Sequence, residues 1–257
     1  MDMEPAERNP AELRRTALIL VAIMILGAAF VLYAYINHEK GKDPDRPPIT
    51  AKITRNFAAK NQHDKLVGIY DLEGKVWFAV AFCVNQLDEN KYALAMMKEL
   101  VQHYGDRDDV FFVWVSIDGV DQGVGPVQLA EAAEKLGIDD SRCWLLTTGD
   151  TDKQRGYIKD QLRLGLVNAR EQGDPAGKSK FPSQLALIDR GMHIRQRYDF
   201  REVHDFQARA EEELKKRPEL ADEEKFHVVL HAVDELKKTL YANTEFVLSE
   251  TKTGSKK

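Results

Sequence analysis

From Thr16 to Ile36 (TALILVAIMILGAAFVLYAYI) the chain carries no charged side chain. A run of that length matches a bilayer core of about 30 Å at about 1.5 Å rise per helical residue. A secretory signal has a shorter apolar region, about 7 to 15 residues, followed by a small-x-small cleavage site. Here the run ends in Tyr33-Ala34-Tyr35-Ile36 instead, and tyrosines at an exit suit the membrane–water interface. The expectation is an uncleaved anchor over 16–36, with a cleaved signal as the alternative. Basic residues flank both ends, so their count does not set the orientation. Arg14 and Arg15 abut the run, however, which predicts a cytoplasmic tail over 1–15 and an outward-facing remainder. The acidic start MDMEPAERNPAE lacks the Arg/Ser pattern of a transit peptide, so the expected location is a bacterial inner membrane with the soluble part in the periplasm.

Charge and cysteine usage exclude several classes. With 37 Lys+Arg against 42 Asp+Glu, the net charge of −5 gives no general attraction to nucleic acid. Two cysteines are too few for a disulfide-stapled scaffold or a four-cysteine zinc site.

Beyond the anchor, 37–50 is charged and carries Pro44, Pro47 and Pro48, so it reads as a stalk. The chain then alternates. Lys75 to Val84 and Val110 to Ile117 are continuous apolar runs of strand length, as expected for strands covered on both faces, and Cys143 to Thr147 is a third strand. Helices are predicted over 90–104, over 126–136 between Pro126 and Gly137, and over 152–166. Gln184 to Asp189 and His193 to Tyr198 form a hairpin about Arg190-Gly191. Two further helices, about 203–217 and 223–241, flank Pro218. This alternation predicts an α/β three-layer sandwich over 51–200, followed by a C-terminal helical extension and polar tail over 201–257.

Several stretches, in this order, resemble the Sco/SenC family of membrane-anchored thioredoxin-like proteins. They are Asp71-Leu72-Glu73-Gly74-Lys75-Val76-Trp77, Ser116-Ile117-Asp118 with the helix ending Lys135-Leu136-Gly137, Trp144-Leu145-Leu146-Thr147-Thr148-Gly149-Asp150, and Leu187-Ile188-Asp189-Arg190 with Ile194-Arg195. The resemblance covers roughly 49–199 and implies a thioredoxin-like fold, a role in copper-centre assembly of cytochrome oxidases, and oxidase subunits or copper chaperones as partners beside the membrane. It also implies copper, held by two thiols in a C-x-x-x-C loop and one histidine. Those positions fall on Gln86, Asn90 and Phe181, or on Asn85 and Glu89 if the loop slips by one residue. No thiolate or imidazole stands there, so the copper site is expected to be degenerate, with no cofactor and no metal ligand.

Cys83 is then the one candidate thiol, next to the place where thioredoxin-like folds present theirs; the plain reading is a small apolar residue in a buried strand. A Cys83–Cys143 disulfide is not expected. With the strand over 110–117 between them, they stand two strand spacings, about 9.6 Å, apart, against a limit of about 7 Å. Pro182 holds the place of a cis-proline in such folds, or starts a strand at an edge. His227 and His231 have a metal-binding spacing on a helix but no acidic third ligand in the motif, and a solvated face explains them. Met97 is expected in the core and Met192 in the turn. Phe226, Val229, Leu230, Val233, Leu236 and Leu240 make an apolar stripe that packs on the chain's own body or, alternatively, on a partner. The resulting expectation is a non-catalytic accessory in oxidase or respiratory-complex assembly. The alternatives are a redox protein using Cys83 and an envelope interaction protein unrelated to oxidases.

Overall fold

The computed structural model describes residues 10–40, 46–169 and 179–250. The chain divides into two compact units, Met1–Arg46 and Pro47–Lys257. In the first, α1 spans Pro10–Lys40. Its segment Arg14–Tyr33 has mean hydropathy 2.6 and buries none of its residues against protein. Leu18, Leu26 and Phe30 are 70–72% exposed. The helix is long and apolar enough to cross a membrane; a signal sequence meets the same test. The middle of the stalk, 41–45, lies outside the described residues.

In the second unit the strands are β1 (Ala51–Lys52), β2 (Ala58–Asn61), β3 (Leu66–Gly68), β4 (Val76–Phe82), β5 (Val110–Ser116), β6 (Cys143–Thr147), β7 (Asn168–Ala169), β8 (Ser179–Lys180), β9 (Gln184–Ile188) and β10 (His193–Asp199). The helices are α2 (Lys91–His103), α3 (Pro126–Leu136), α4 (Thr151–Asp160), α5 (Phe200–Lys216), α6 (Glu224–Leu230) and α7 (Ala232–Ser249). Eight strands form one sheet in the order β1-β10-β9-β4-β5-β6-β2-β3, and β7 pairs with β8 apart from it. β4, β5 and β6 run parallel, while β9 lies antiparallel to β4 and β10 antiparallel to β9. Two parallel strands joined through a helix, beside an antiparallel pair that leads into another helix, make a thioredoxin-like core. β6, α3 and α4 extend it on one side.

Why the apolar runs form central strands is visible in β4, where all seven residues are buried. Val76, Phe78, Val80 and Phe82 face one layer, with Leu94, Met97 and Leu100 of α2, Leu129 of α3 and Leu240 of α7. Trp77, Ala79 and Ala81 face the other, with Ile158 of α4. Period-two alternation thus fills both faces with apolar side chains, which only a strand covered on both sides requires. α3 begins with Pro126 and ends on Gly137 at φ 66°, a left-handed stop that glycine takes without a Cβ penalty.

Four sequence expectations need correction. The helix predicted over 152–166 ends at Asp160, because Arg163 (φ 55°) and Gly165 (φ 127°) turn the chain so that Leu162 and Leu164 are buried. The segment 223–241 is two helices, broken at His231 (φ −103°, ψ 5°), and the second runs on to Ser249 because Leu240, Val247 and Leu248 are buried on the sheet. Cys83 lies just past β4 rather than inside it. Pro182 does not start an edge strand, since β9 sits between β10 and β4, and every described peptide bond is trans. The short strands β1, β2 and β3 had no counterpart in the sequence reading; two to four residues are too few to show an alternation.

Candidate functional site

In an open α/β sheet the carboxyl ends of the parallel strands are where side chains of different loops converge. Here β4 delivers Cys83, β5 delivers Asp118 two residues past its end, and Arg155 reaches in from α4. Cys83 is 3% exposed, with its Sγ 3.5 Å from Gln86 Oε1 and 3.7 Å from Asp118 Oδ2. Burial pushes the thiol up to about 11, and the neighbouring Asp118 charge pushes the same way. Arg155 does not counter this. Its guanidinium donates to Asp118 Oδ1 at 2.6 Å and to the Ile117 carbonyl at 2.9 Å, so its charge is spent on the carboxylate.

A layer of polar contacts fixes this edge. The Thr148 amide donates to Gln154 Oε1 at 2.7 Å, and Gln154 Nε2 donates to the Asp118 carbonyl at 3.0 Å and to that of Ser116. Thr151 Oγ1 donates to Asp121 at 2.6 Å and accepts from the Gly119 amide at 2.8 Å. Asp121 is held below the usual carboxylate range, mainly by that hydroxyl. A Cβ on Gly119 would sit 2.7 Å from the Thr148 carbonyl, so only glycine lets the two loops approach this closely.

The loop after Cys83 folds back on itself: the Gln86 amide donates to the Cys83 carbonyl at 3.0 Å, the Glu89 amide to the Gln86 carbonyl at 3.2 Å, and Leu87–Asn90 is a 3-10 turn. Asn90 is 1% exposed; its Nδ2 donates to the Ala81 carbonyl at 2.8 Å while its Oδ1 has no partner. Phe181, 2% exposed, is packed in the same apolar cluster as Cys83. The positions that the motif resemblance aligns with two loop thiols and a histidine are at this edge, and they offer two carboxamides and a phenyl ring. A copper ion asks for thiolate, thioether or imidazole. The nearest thiol is neutral, buried and already donating to oxygen, so the residues present do not fit copper.

The other candidates sit elsewhere. Cys143 opens β6 with β5 between it and β4, both cysteines are free, and burial pushes its thiol up to about 12. Met96 and Met97 are core residues of α2, and Met192 is buried in the hairpin turn at φ 64°. His227 and His231 have ring centroids 4.7 Å apart and line an open groove of about 720 Å³ with Asp234 and Glu235. Glu235 there pairs with Lys238 at 2.5 Å. Among the described residues no three His, Cys, Asp or Glu side chains gather to hold a metal. Sequence reasoning gave no role to Asp118 and Arg155. Asp118 closes the quoted Ser116-Ile117-Asp118 motif, which was a usable signal; Arg155 lies 37 residues further on, and nothing local marks it.

No protein-family model matches the chain, and no curated protein does. Solved structures are similar to it. One is a SCO1/SenC family lipoprotein from Bacillus anthracis, 25% identical, with TM-score 0.49 over 58% of this chain and 86% of that one. A second is BsSco, a member of the Sco family of cytochrome c oxidase assembly proteins, 19% identical with TM-score 0.48 over 60% of this chain and 86% of that one. A third is ScoI from Arabidopsis thaliana with copper bound, 14% identical with TM-score 0.46 over 74% of this chain and 98% of that one.

Proposed function

We propose that this is a membrane-anchored, Sco-like accessory protein of cytochrome oxidase assembly that works through protein contacts, with its soluble domain outside a bacterial inner membrane. The thioredoxin-like topology, the Sco/SenC motifs in order, and an N-terminal helix able to span a bilayer support the class and the anchor. One observation carries the non-catalytic part: at the loop edge where the motif alignment expects three soft donors, Gln86, Asn90 and Phe181 stand instead. The alternative of Cys83 as a redox nucleophile has a physical cost, because the reactive species is the thiolate and burial pushes this thiol up to about 11.

Copper loading separates the readings. The full chain in detergent, loaded with Cu(I) and desalted, is expected to retain no stoichiometric copper of submicromolar affinity. Tight binding that Gln86→Ala or Asn90→Ala abolishes would overturn the proposal. Affinity capture from membranes tests the partner class. Oxidase subunits or copper chaperones are expected to enrich, and failure to recover them under conditions in which an authentic Sco protein does so sinks the assembly role.

A further inference from the structure

Three separate segments meet at the first turn of α5. Arg201 Nη1 donates to Glu89 Oε1 at 3.1 Å, in the 3-10 turn that follows Cys83, and Nη2 makes a long 3.4 Å contact to the carbonyl of Phe181. The pair is half-sheltered, with side chains 26% and 17% exposed. Around it the same helix end is pinned twice more. Asp199 accepts from Ser183 Oγ at 2.6 Å and caps the Glu202 amide at 3.1 Å, and the His204 ring stacks on Tyr92 of α2 with centroids 3.9 Å apart. Arg201 thus bridges the loop after Cys83, the Phe181 segment and α5 by hydrogen bonds.

We infer that Arg201 is a latch: by joining Glu89 to the Phe181 carbonyl it holds the Gln86–Asn90 loop closed over Cys83, so that α5 keeps this edge of the domain in one fixed, thiol-masking conformation. The physical basis is that a partly sheltered guanidinium–carboxylate pair is stronger than an exposed one and that its loss removes a charge-assisted bond between the loop and α5. Local opening of a loop needs only the contacts that hold the loop to break, and does not require global unfolding. The inference stands apart from the assembly role, since the latch holds or fails whatever the domain's partner is.

Cys143 supplies an internal control, since it is buried at the start of β6, with β5 between it and β4. Native full-length chain in detergent is treated with a small thiol-reactive probe, and modification of each cysteine is followed by peptide mass spectrometry. Arg201→Met is expected to raise the Cys83 rate at least about fivefold while the Cys143 rate stays unchanged, the size expected for coupled charged pairs. Glu89→Gln, a gentler change, is expected to act in the same direction. The exchanged pair Glu89→Arg with Arg201→Glu is expected to bring the rate back toward wild type. An unchanged Cys83 rate overturns the latch, and so does a rise shared equally by Cys83 and Cys143, which would report loosening of the whole domain.

Discussion

The two ends of strand β4 differ in how deeply their charges are buried. At its beginning, beside the β9–β10 hairpin, lies a network of charges. Arg195 is fully buried and donates to Asp189 Oδ2 at 3.0 Å, to both oxygens of Glu250 at 2.8 and 3.0 Å, and to the Pro47 carbonyl at 3.0 Å. Arg190 next to it binds Asp109 at 2.7 Å and the carbonyls of Val247, Leu248 and Glu250, where α7 ends. At the other end, where β4 delivers Cys83, the thiol and the Gln86 and Asn90 carboxamides are neutral, and the charges present, Asp118 with Arg155, Glu89 with Arg201 and Asp121 on Thr151, are nearer solvent than Arg195. The difference teaches that density of buried charge does not mark a functional edge. The charged end ties the start of the domain, the hairpin and the last helix together, with every guanidinium matched to acceptors. The end that the fold places at a loop convergence is the quieter one.

The sharpest way to break this comparison is to remove the central cation. Arg195→Met removes the cation that Asp189 and Glu250 both face, although Asp189 keeps the Gly191 and His193 amides; breaking a buried ion pair from one side costs about 3–5 kcal/mol. Because the Glu250 side chain is 23% exposed, water relieves part of that penalty, and the lower part of the range is expected. Urea unfolding measures it. A change below about 1 kcal/mol would mean that the network behaves as a solvated surface pair and that the two ends do not differ in the way described.

A smaller effect is expected from the Cys83 end. The Cys83 thiol rises from 9.0 to about 11 on folding because burial disfavours the thiolate. A group whose folded value lies above its unfolded one adds stability that is fully present below the unfolded value. Here that contribution is present below about pH 9 and is lost as pH rises through about 11. Two units correspond to roughly 2.7 kcal/mol at most. Cys143 titrates in the same direction, so the comparison is between wild type and Cys83→Ala, with Cys143 common to both. The stability difference between them is expected to move against the wild type from pH 9 upward. A constant difference from pH 8 to 11 would show Cys83 titrating as an ordinary solvated thiol, and the closed edge would have to be given up.

How much of this was legible in the sequence follows from the range of each interaction. β4, β5 and β6, and the proline-to-glycine helix α3, are local patterns of apolar period and caps, and their residues read out within a turn or two of the structure. The identities of Gln86, Asn90 and Phe181 are plain in the sequence, whereas their standing at ligand positions is only what the motif resemblance implies. Arg195 was visible only as part of a motif. Its burial depends on the register shift in β10 between Ile194 and Gln196, which turns it off the alternation, and on Glu250, 55 residues away. The Arg201–Glu89 pair spans 112 residues and joins a loop to a helix, so no local pattern could announce it. The break at His231 was missed because the apolar stripe from Phe226 to Leu240 continues across it unchanged.

The smallest effect sharpens the comparison from the surface. On α5, Lys216 Nζ lies 3.0 Å from Glu212 one helical turn earlier, with side chains 70% and 68% exposed. Lysine holds the Glu212 carboxyl below its ordinary range. Both groups keep their water, the attraction is screened by salt, and two long side chains lose rotamer freedom to meet. Glu212→Ala is therefore expected to leave the urea midpoint where it is in the wild type, and to leave it there in high salt as well. The distance in this pair equals that between Arg195 and Asp189, so geometry is held constant while burial changes. If Glu212→Ala destabilised the domain as Arg195→Met does, the number of charge pairs and not their burial would be what holds the C-terminal helices in place. An unmoved midpoint assigns the difference to desolvation, because the charges around Arg195 have far less water to return to than those of Lys216 and Glu212.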